Sequence, residues 1–413
     1  LLYLPFYIGF QSQLGGLRPN LLFPSRFSQF FLMFGPFLVV AVSFLLALTL
    51  GALARRPRLA GVARPFLATL PWTLLLPVLL LAFLMLGMVI LVALPGGASY
   101  LQEILSQPGV GERAGDGTVG GLAALVVRLR LAAPWTWLVL AVLIAWGVGV
   151  AWALMRRTAR EDDGPAPRTD ILAVFMIVIA LVLAYIPEFL YLRDLFGSRM
   201  NTVFKFYYQA WALLGIAAVY GLSRLAERGT RPALRMPALV GAGLLLLGGL
   251  WYPLAAIPSK ADYFRGEPSL NGLRYLQLYN PADRAAIEWL RANVAPDALV
   301  LESSGGSYSP EGAGRVSMAT GNPTLLGWDF HERQWRGEAY DELVAGRPEA
   351  LDRIYRTATA EELPALLDQW DVDYVYVGAL ERNKYGVGDV ALGRFDAALT
   401  KVYDQDGVRI YAR

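Results

Sequence analysis

The segment PEFLYLRDLFGSRMNTVFKFYYQAW, 187–211, sets Glu188, Arg193, Asp194, Arg199, Asn201 and Lys205 within eighteen residues beside an apolar run. Asn201, Lys205 and Gln209 recur every four residues, so on a helix they form one polar stripe. At about 1.5 Å per residue, Lys205 and Gln209 lie about 6 and 12 Å along from Asn201, inside the run. Phe204, Tyr208 and Trp211 form a separate aromatic stripe. An ionisable group inside a membrane span is costly and by default faces the protein interior or a water-filled cavity. The spacing therefore predicts that Asn201, Lys205 and Gln209 point inward. The chemistry such a set suits is anionic. Arg193, Arg199 and Lys205 would hold a phosphate or pyrophosphate at head-group level. Asp194 or Glu188 would orient a hydroxyl, accept its proton or hold a divalent metal ion. The plainer alternative is that Lys205 snorkels to the surface while Arg193 and Asp194 pair at the interface.

A second constellation is GWDFHERQWRG, 327–337. His331-Glu332 begins an HExxH pattern, but the second histidine position is Trp335, which excludes a zinc protease. What remains reads as a loop of Trp328, Asp329, His331, Glu332, Arg333, Trp335 and Arg336. Aromatic faces beside charged hydrogen-bonding groups suit a carbohydrate, which presents apolar C–H faces and many hydroxyls. Alternatively the tryptophans pack beneath the loop and the charges meet the membrane. Tyr374 and Tyr376 read as core, and Glu381 and Arg382 follow a strand at the carboxyl edge, where open α/β sheets place ligands. There is no cysteine and one histidine. Disulfides, thiolate nucleophiles and cysteine or paired-histidine metal sites are excluded, and little is left for a Ser-His-Asp relay. The Gly-rich GVGERAGDGTVGG lacks a preceding strand and a following Gly-Lys-Ser/Thr, so it does not read as a phosphate loop.

The elements that must position these residues follow from composition. The chain has 413 residues, 55% hydrophobic and 17% charged, against about a quarter charged in soluble domains. A span needs about 20 apolar residues, and six stretches approach that: Gln29–Ala52, Pro65–Leu94, Pro134–Met155, Asp170–Pro187, Val203–Ser223 and Met236–Ile257. Alternate connections divide the arginines twelve to seven. The richer set comprises 55–64, 156–168 and 224–235, and is cytoplasmic by the positive-inside rule. Six crossings then place Leu1–Ser28, 95–133, Glu188–Thr202 and everything beyond the last span outside. The reading is a polytopic α-helical membrane protein of about six to seven spans, with residues 1–257 transmembrane and 258–413 an extracytoplasmic α/β domain. The net charge of +3 comes from these connections and implies no nucleic-acid partner. The chain opens on Leu1 inside the apolar LLYLPFYIGF and reads as an N-terminally truncated fragment.

In the C-terminal part, helices are predicted over Pro281–Asn293, Arg347–Tyr355 and Glu361–Trp370, and strands over 298–302 and 372–378. LTKVYDQDGVRIYAR reads as a hairpin turning at Asp406-Gly407. Between spans, the piece around 99–121 reads as a short amphipathic stretch and a Gly-rich turn on the membrane surface.

YLPFYIGFQSQLGG, RDLFGSRMNTVFKFYYQAW, TGNPTLLGWDFHERQWRG and DVDYVYVGALER resemble the YYY-type family of polytopic membrane proteins, which carries a domain-of-unknown-function label. That family is similar to membrane glycosyltransferases of the GT-C class. The resemblance implies many spans, an extracytoplasmic active site, a soluble outer domain and a polyprenyl-phosphate-linked sugar as donor. It implies transfer to a carbohydrate or protein acceptor in the cell envelope. Asp194 and Glu188 would be the catalytic carboxylates. Arg193, Arg199, Asn201, Lys205, Gln209, Trp328, His331, Glu332, Trp335 and Arg336 would bind substrate. In GT-C enzymes the usual catalytic acid lies on the first outer loop, before the place where this chain starts, which leaves Asp194 and Glu188 in support. The competing readings are a transporter or flippase for a lipid-linked substrate, and a non-catalytic envelope scaffold. Related broken halves would favour transport, and no repeat between halves is present in the sequence.

Overall fold

The structure, a computed structural model, describes residues 4–5, 16–55, 60–106, 110–115, 117–158, 167–194, 198–227, 232–309 and 312–413. Most of the opening LLYLPFYIGF lies outside these residues, as do Arg56, Arg58, Arg160, Arg228 and Arg231 of the arginine count. The chain divides between Phe264 and Arg265 into two compact units.

The first unit, Leu14–Phe264, is built on long apolar helices: α1 (Phe27–Arg55), α2 (Ala60–Ala93), α5 (Trp135–Thr158), α6 (Arg168–Tyr185), α7 (Met200–Ala226) and α8 (Pro232–Lys260). Two shorter ones, α3 (Ala98–Leu105) and α4 (Val119–Ala132), fill the connection between α2 and α5. The sequence reading missed α4. Thr118 caps it by accepting from the Gly121 N–H at 3.1 Å, and Leu122, Leu125 and Val126 bury against Leu21 and Leu101.

Among the described residues five helices are long and apolar enough to cross a membrane: Phe27–Ala54, Gly61–Ala93, Trp135–Thr158, Arg168–Glu188 and Pro232–Lys260. They bear out the expectation of a polytopic α-helical membrane protein. The remaining long helix, α7, has 27 residues and so has the length. Its first half carries Asn201, Lys205, Tyr207, Tyr208, Gln209 and Trp211, which leaves it less apolar than those five.

Small residues let the helices approach closely, as is usual where lipid-like surfaces pack on one another. A Cβ at Gly147 would stand 2.6 Å from the Val178 Cγ2, and one at Gly149 2.8 Å from the Val62 carbonyl oxygen. Helix α2 contains Pro65, Pro71 and Pro77. Proline has no N–H, so Pro77 removes the usual partner of the Thr73 carbonyl. The Tyr185 hydroxyl of α6 donates to that carbonyl instead, and the Thr73 hydroxyl donates to the Ala141 carbonyl of α5 at 3.1 Å.

In the second unit a four-stranded sheet has the order β3 (Val300–Leu301), β4 (Tyr374–Val377), β6 (Val408–Ala412), β5 (Thr400–Gln405). β3 and β4 are parallel, and the other pairs are antiparallel. The hairpin turns at Asp406-Gly407, both with positive φ, 48° and 81°, the pairing a two-residue turn of this hand requires. Helices α9 (Pro281–Asn293), α10 (Arg315–Thr320), α11 (Asp329–Arg336), α12 (Arg347–Arg356), α13 (Leu363–Gln369), α14 (Ala379–Tyr385) and α15 (Asp389–Ala398) surround it. The segment expected as a loop at 328–336 is largely the two-turn helix α11, steadied by an i, i+4 pair between Arg336 and Glu332 at 2.7 Å.

Candidate functional site

At one end of the helical unit the N-termini of α1, α5 and α7 converge with the C-terminus of α6. The chain just before α1 forms β1 (Leu17–Pro19), which pairs antiparallel with β2 (Leu190–Leu192) immediately after α6. This clasp draws Asn20 into the protein. Its side-chain amide donates to the Pro187 and Glu188 carbonyls at 2.9 and 3.1 Å, and its oxygen accepts from the Phe23 N–H at 3.1 Å.

Glu188 has no exposed surface. One carboxylate oxygen accepts from Arg199 Nη1 at 3.0 Å and the other from the Ser25 N–H at 3.0 Å. Arg199 also donates to the Pro187 carbonyl at 3.1 Å and to the Ser25 hydroxyl at 3.0 Å. Ser25 Oγ lies 3.4 Å from the Tyr207 hydroxyl, and Thr136 at the start of α5 donates to the Ser25 carbonyl at 2.7 Å. A carboxylate among helix N-termini is well placed, because their unpaired N–H groups and dipoles favour negative charge.

The cluster nevertheless carries an excess of positive charge. Arg130, from the end of α4, is only 8% exposed. Its Nη2 donates to the Asn20 carbonyl, and its guanidinium lies 5.2 Å from the Phe189 ring centroid. Its Nη1 is 4.0 Å from Glu188, beyond hydrogen-bond reach, and Nε and Nη1 have no hydrogen-bond partner among the described residues. Burial lowers its pKa to about 10, and the neighbouring Arg199 adds to that effect while Glu188 opposes it. At neutral pH Arg130 therefore remains charged, and two guanidiniums share one carboxylate.

Of the residues the sequence singled out, the structure joins Glu188 to Arg199 and Asp194 to Asn201, whose amide donates to the Asp194 carboxylate at 2.6 Å. It does not turn the whole stripe inward. Lys205 and Gln209 are exposed on the same side as Phe204 and Tyr208, while Thr202, Tyr207, Ala210 and Leu214 form the buried face of α7. The physical reason is that Tyr207, which packs edge-on against Phe30 and Phe34, and the small or aliphatic Thr202, Ala210 and Leu214 fit closely into the bundle, whereas Phe204 and Tyr208 are as well accommodated by lipid. Arg193 is exposed. Among the described residues no group of three or more His, Asp or Glu is disposed to hold a metal ion. Asp194 and Glu188 belong to no such group.

Asn20, Ser25, Arg130, Thr136 and Tyr207 were missed. Arg130 was counted only as a topological charge, although an arginine amid the apolar AALVVRLRLAAP is itself a signal. Asn20 in RPNLLFP offered the turn residues of a chain reversal, and nothing local marked Ser25.

In the second unit Trp328 is half-buried, donates from Nε1 to the Ala313 carbonyl at 2.6 Å and meets Tyr308 edge-on. His331 packs between Trp328 and Phe330, and its buried Nδ1 has no hydrogen-bond partner among the described residues. Glu332 pairs with Arg336, and Trp335 is 72% exposed. Trp328 thus packs down while Trp335 stands out. Glu381 lies elsewhere, wholly buried around Arg315, which donates to Glu381 at 3.0 and 2.9 Å and to Asp283 at 2.6 Å. The Tyr376 hydroxyl donates to Asp283 at 2.6 Å, so this tyrosine is core with its polar end satisfied. Arg382 is tied to the Gly407 carbonyl at 3.0 Å.

Residues 1–214 match the family described as Uncharacterized membrane protein (DUF2298), and the chain belongs to that family. No curated protein matches the chain.

Proposed function

We propose that this DUF2298 protein is a multi-pass membrane glycosyltransferase of GT-C type, moving a sugar from a polyprenyl-phosphate-linked donor to an extracytoplasmic carbohydrate or protein acceptor. The observation that carries the reading is the Arg130–Glu188–Arg199 cluster, where one buried and one half-buried guanidinium share one carboxylate and Arg130 has donors to spare. A lipid phosphate is the ligand that such a surplus at the end of apolar helices would attract. The acceptor hydroxyl oxygen bonds to the anomeric carbon as the bond from that carbon to the phosphate breaks. The phosphate leaves with the electron pair, and the hydroxyl proton passes to a carboxylate.

Within this reading the residues take different parts. Glu188, neutralised and buried, positions Arg199 and the start of α1. Asp194, half-buried and held by Asn201, is the carboxylate that orients the hydroxyl and takes its proton. Arg193, Lys205 and Gln209 meet the donor's head group and lipid from the outward side of α7. Trp328, His331, Glu332, Trp335 and Arg336 serve the sugar or the acceptor. The twelve-to-seven arginine division supports an extracytoplasmic second unit.

The test is reconstitution of the full chain in liposomes with a labelled polyprenyl-phosphate sugar and candidate acceptors. Arg130→Met and Arg199→Met should each lower transfer about a hundredfold or more, in line with loss of about 3 kcal/mol of charged hydrogen bonding. Trp335→Ala should raise KM with little change in kcat. One observation favours the scaffold reading, namely the complete burial of Glu188. Correctly folded wild-type protein giving no transfer with any donor would support it, and movement of label between leaflets without transfer would support a transporter.

A further inference from the structure

At the other end of the bundle from Glu188, α1, α2 and α5 border an open cavity of about 300 Å³ lined by Thr49, Leu53, Val62, Ala63, Phe66, Val142 and Trp146. This lies at the lower end of the usual range for ligand pockets, about 300–1,000 Å³. Its polar lining atoms answer one another: the Thr49 hydroxyl donates to the Leu45 carbonyl at 2.7 Å and accepts from Trp146 Nε1 at 3.0 Å. Neither polar lining side chain, Thr49 nor Trp146, keeps a donor free for water or for a polar ligand. Such a cavity takes hydrocarbon.

What surrounds it is positively charged. Val62 and Phe66 belong to the first two turns of α2, so the positive end of a 34-residue helix stands at this level. Arg64, exposed, lies between them in the sequence. α5 ends on Arg156 and Arg157, with the Arg156 guanidinium 5.0 Å from the Trp152 ring centroid. Gly149 of α5 fixes the level, because a Cβ there would meet both the Val62 carbonyl oxygen and Phe66. The two arginines of α5 therefore lie about two turns beyond Gly149 and about three beyond Trp146, toward the membrane surface.

We propose that this cavity is a binding site for an anionic phospholipid, with one acyl chain between α1, α2 and α5 and the phosphate beside Arg64, Arg156 and the N-terminus of α2. A zwitterionic lipid brings a cation to the same charges and is disfavoured. The site is remote from the Arg130–Glu188–Arg199 cluster and does not depend on the transferase reading.

The experiment is native mass spectrometry of the full chain, delipidated and then titrated with phosphatidylglycerol or phosphatidylcholine of matched acyl chains. One phosphatidylglycerol should bind ahead of all others, at least fivefold more tightly than phosphatidylcholine, the factor expected of about one arginine near a membrane surface. Ala63→Trp fills the cavity and should remove that first binding event. Arg64→Gln leaves the packing untouched and should lower the preference about fivefold while a lipid still binds. Equal retention of the two lipids by the wild type would overturn the proposal. So would an undiminished preference in Arg64→Gln, or an unchanged first binding event in folded Ala63→Trp.

Discussion

Replacing Glu188 by glutamine tests the charge balance at the converging helix ends directly. In the native protein the carboxylate has no exposure, and the side chains it faces, Arg199 and Arg130, are 16% and 9% exposed. Removing one partner of a buried ion pair costs roughly 3–5 kcal/mol, because the remaining charge stays buried without compensation. Glutamine keeps an oxygen that can accept from the Ser25 N–H or from Arg199, so the expected loss lies at the low end, about 3 kcal/mol. Glu188→Ala, which keeps neither acceptor, should lose more. The measurement is reversible unfolding in bicelles followed by tryptophan fluorescence, with the change in free energy read from a shift in midpoint at constant slope. The variant also offers a link to the ligand. With Glu188 neutral, Arg130 and Arg199 have no counter-charge, and an added polyprenyl phosphate should stabilise the variant more than the wild type. At tenfold excess over its Kd such a ligand contributes about 1.4 kcal/mol. A Glu188→Gln protein within about 0.5 kcal/mol of wild type, a change ordinary for surface substitutions, would refute the assignment of a buried, charge-balancing carboxylate. Equal stabilisation of both proteins by the phosphate lipid would refute the claim that the arginines bind it.

Tyr185→Phe leaves the Thr73 carbonyl, already without a helical partner because of Pro77, unsatisfied, and should cost about 1–3 kcal/mol in the same unfolding assay. Gly149→Ala forces α2 away from α5 through the Val62 carbonyl and should cost about 1–3 kcal/mol, with no comparable effect of Gly243→Ala, where a Cβ meets open space. Burial raises the Glu302 carboxyl to about 7, against the lowering effects of Arg315 and the Ser317 and Val316 N–H groups. A raised carboxyl pKa means that the folded state keeps a proton the unfolded chain has lost, so this contribution is full at low pH and disappears as pH rises from about 4.5 to about 7. Hydrogen exchange of residues 300–317, corrected for intrinsic rates, should therefore show less protection at pH 8 than at pH 5, and Glu302→Gln should abolish the difference.

Residue chemistry alone determined that the chain is a membrane protein, because a run of apolar residues long enough to span leaves little else it could be. It determined the helix Pro281–Asn293 and the hairpin at Asp406-Gly407, whose signals are local. It also drew attention to Glu188 and Arg199, eleven residues apart and joined in the structure. Tertiary structure alone decided that Arg130 joins them from 58 residues upstream of Glu188, and that Ser25 does so across a separation of 163. No periodicity encodes such meetings, which depend on the β1–β2 clasp and on how helices from distant segments end together. Tertiary structure also decided which way α7 faces. In a soluble helix the apolar stripe marks the inside, but lipid is as apolar as the packed interior, so the hydrophobic pattern does not distinguish the two. On α7 the close fit of Thr202, Ala210, Leu214, Ala217 and Gly221 against neighbouring helices fixed the rotation, and that fit carried Lys205 and Gln209 to the outside.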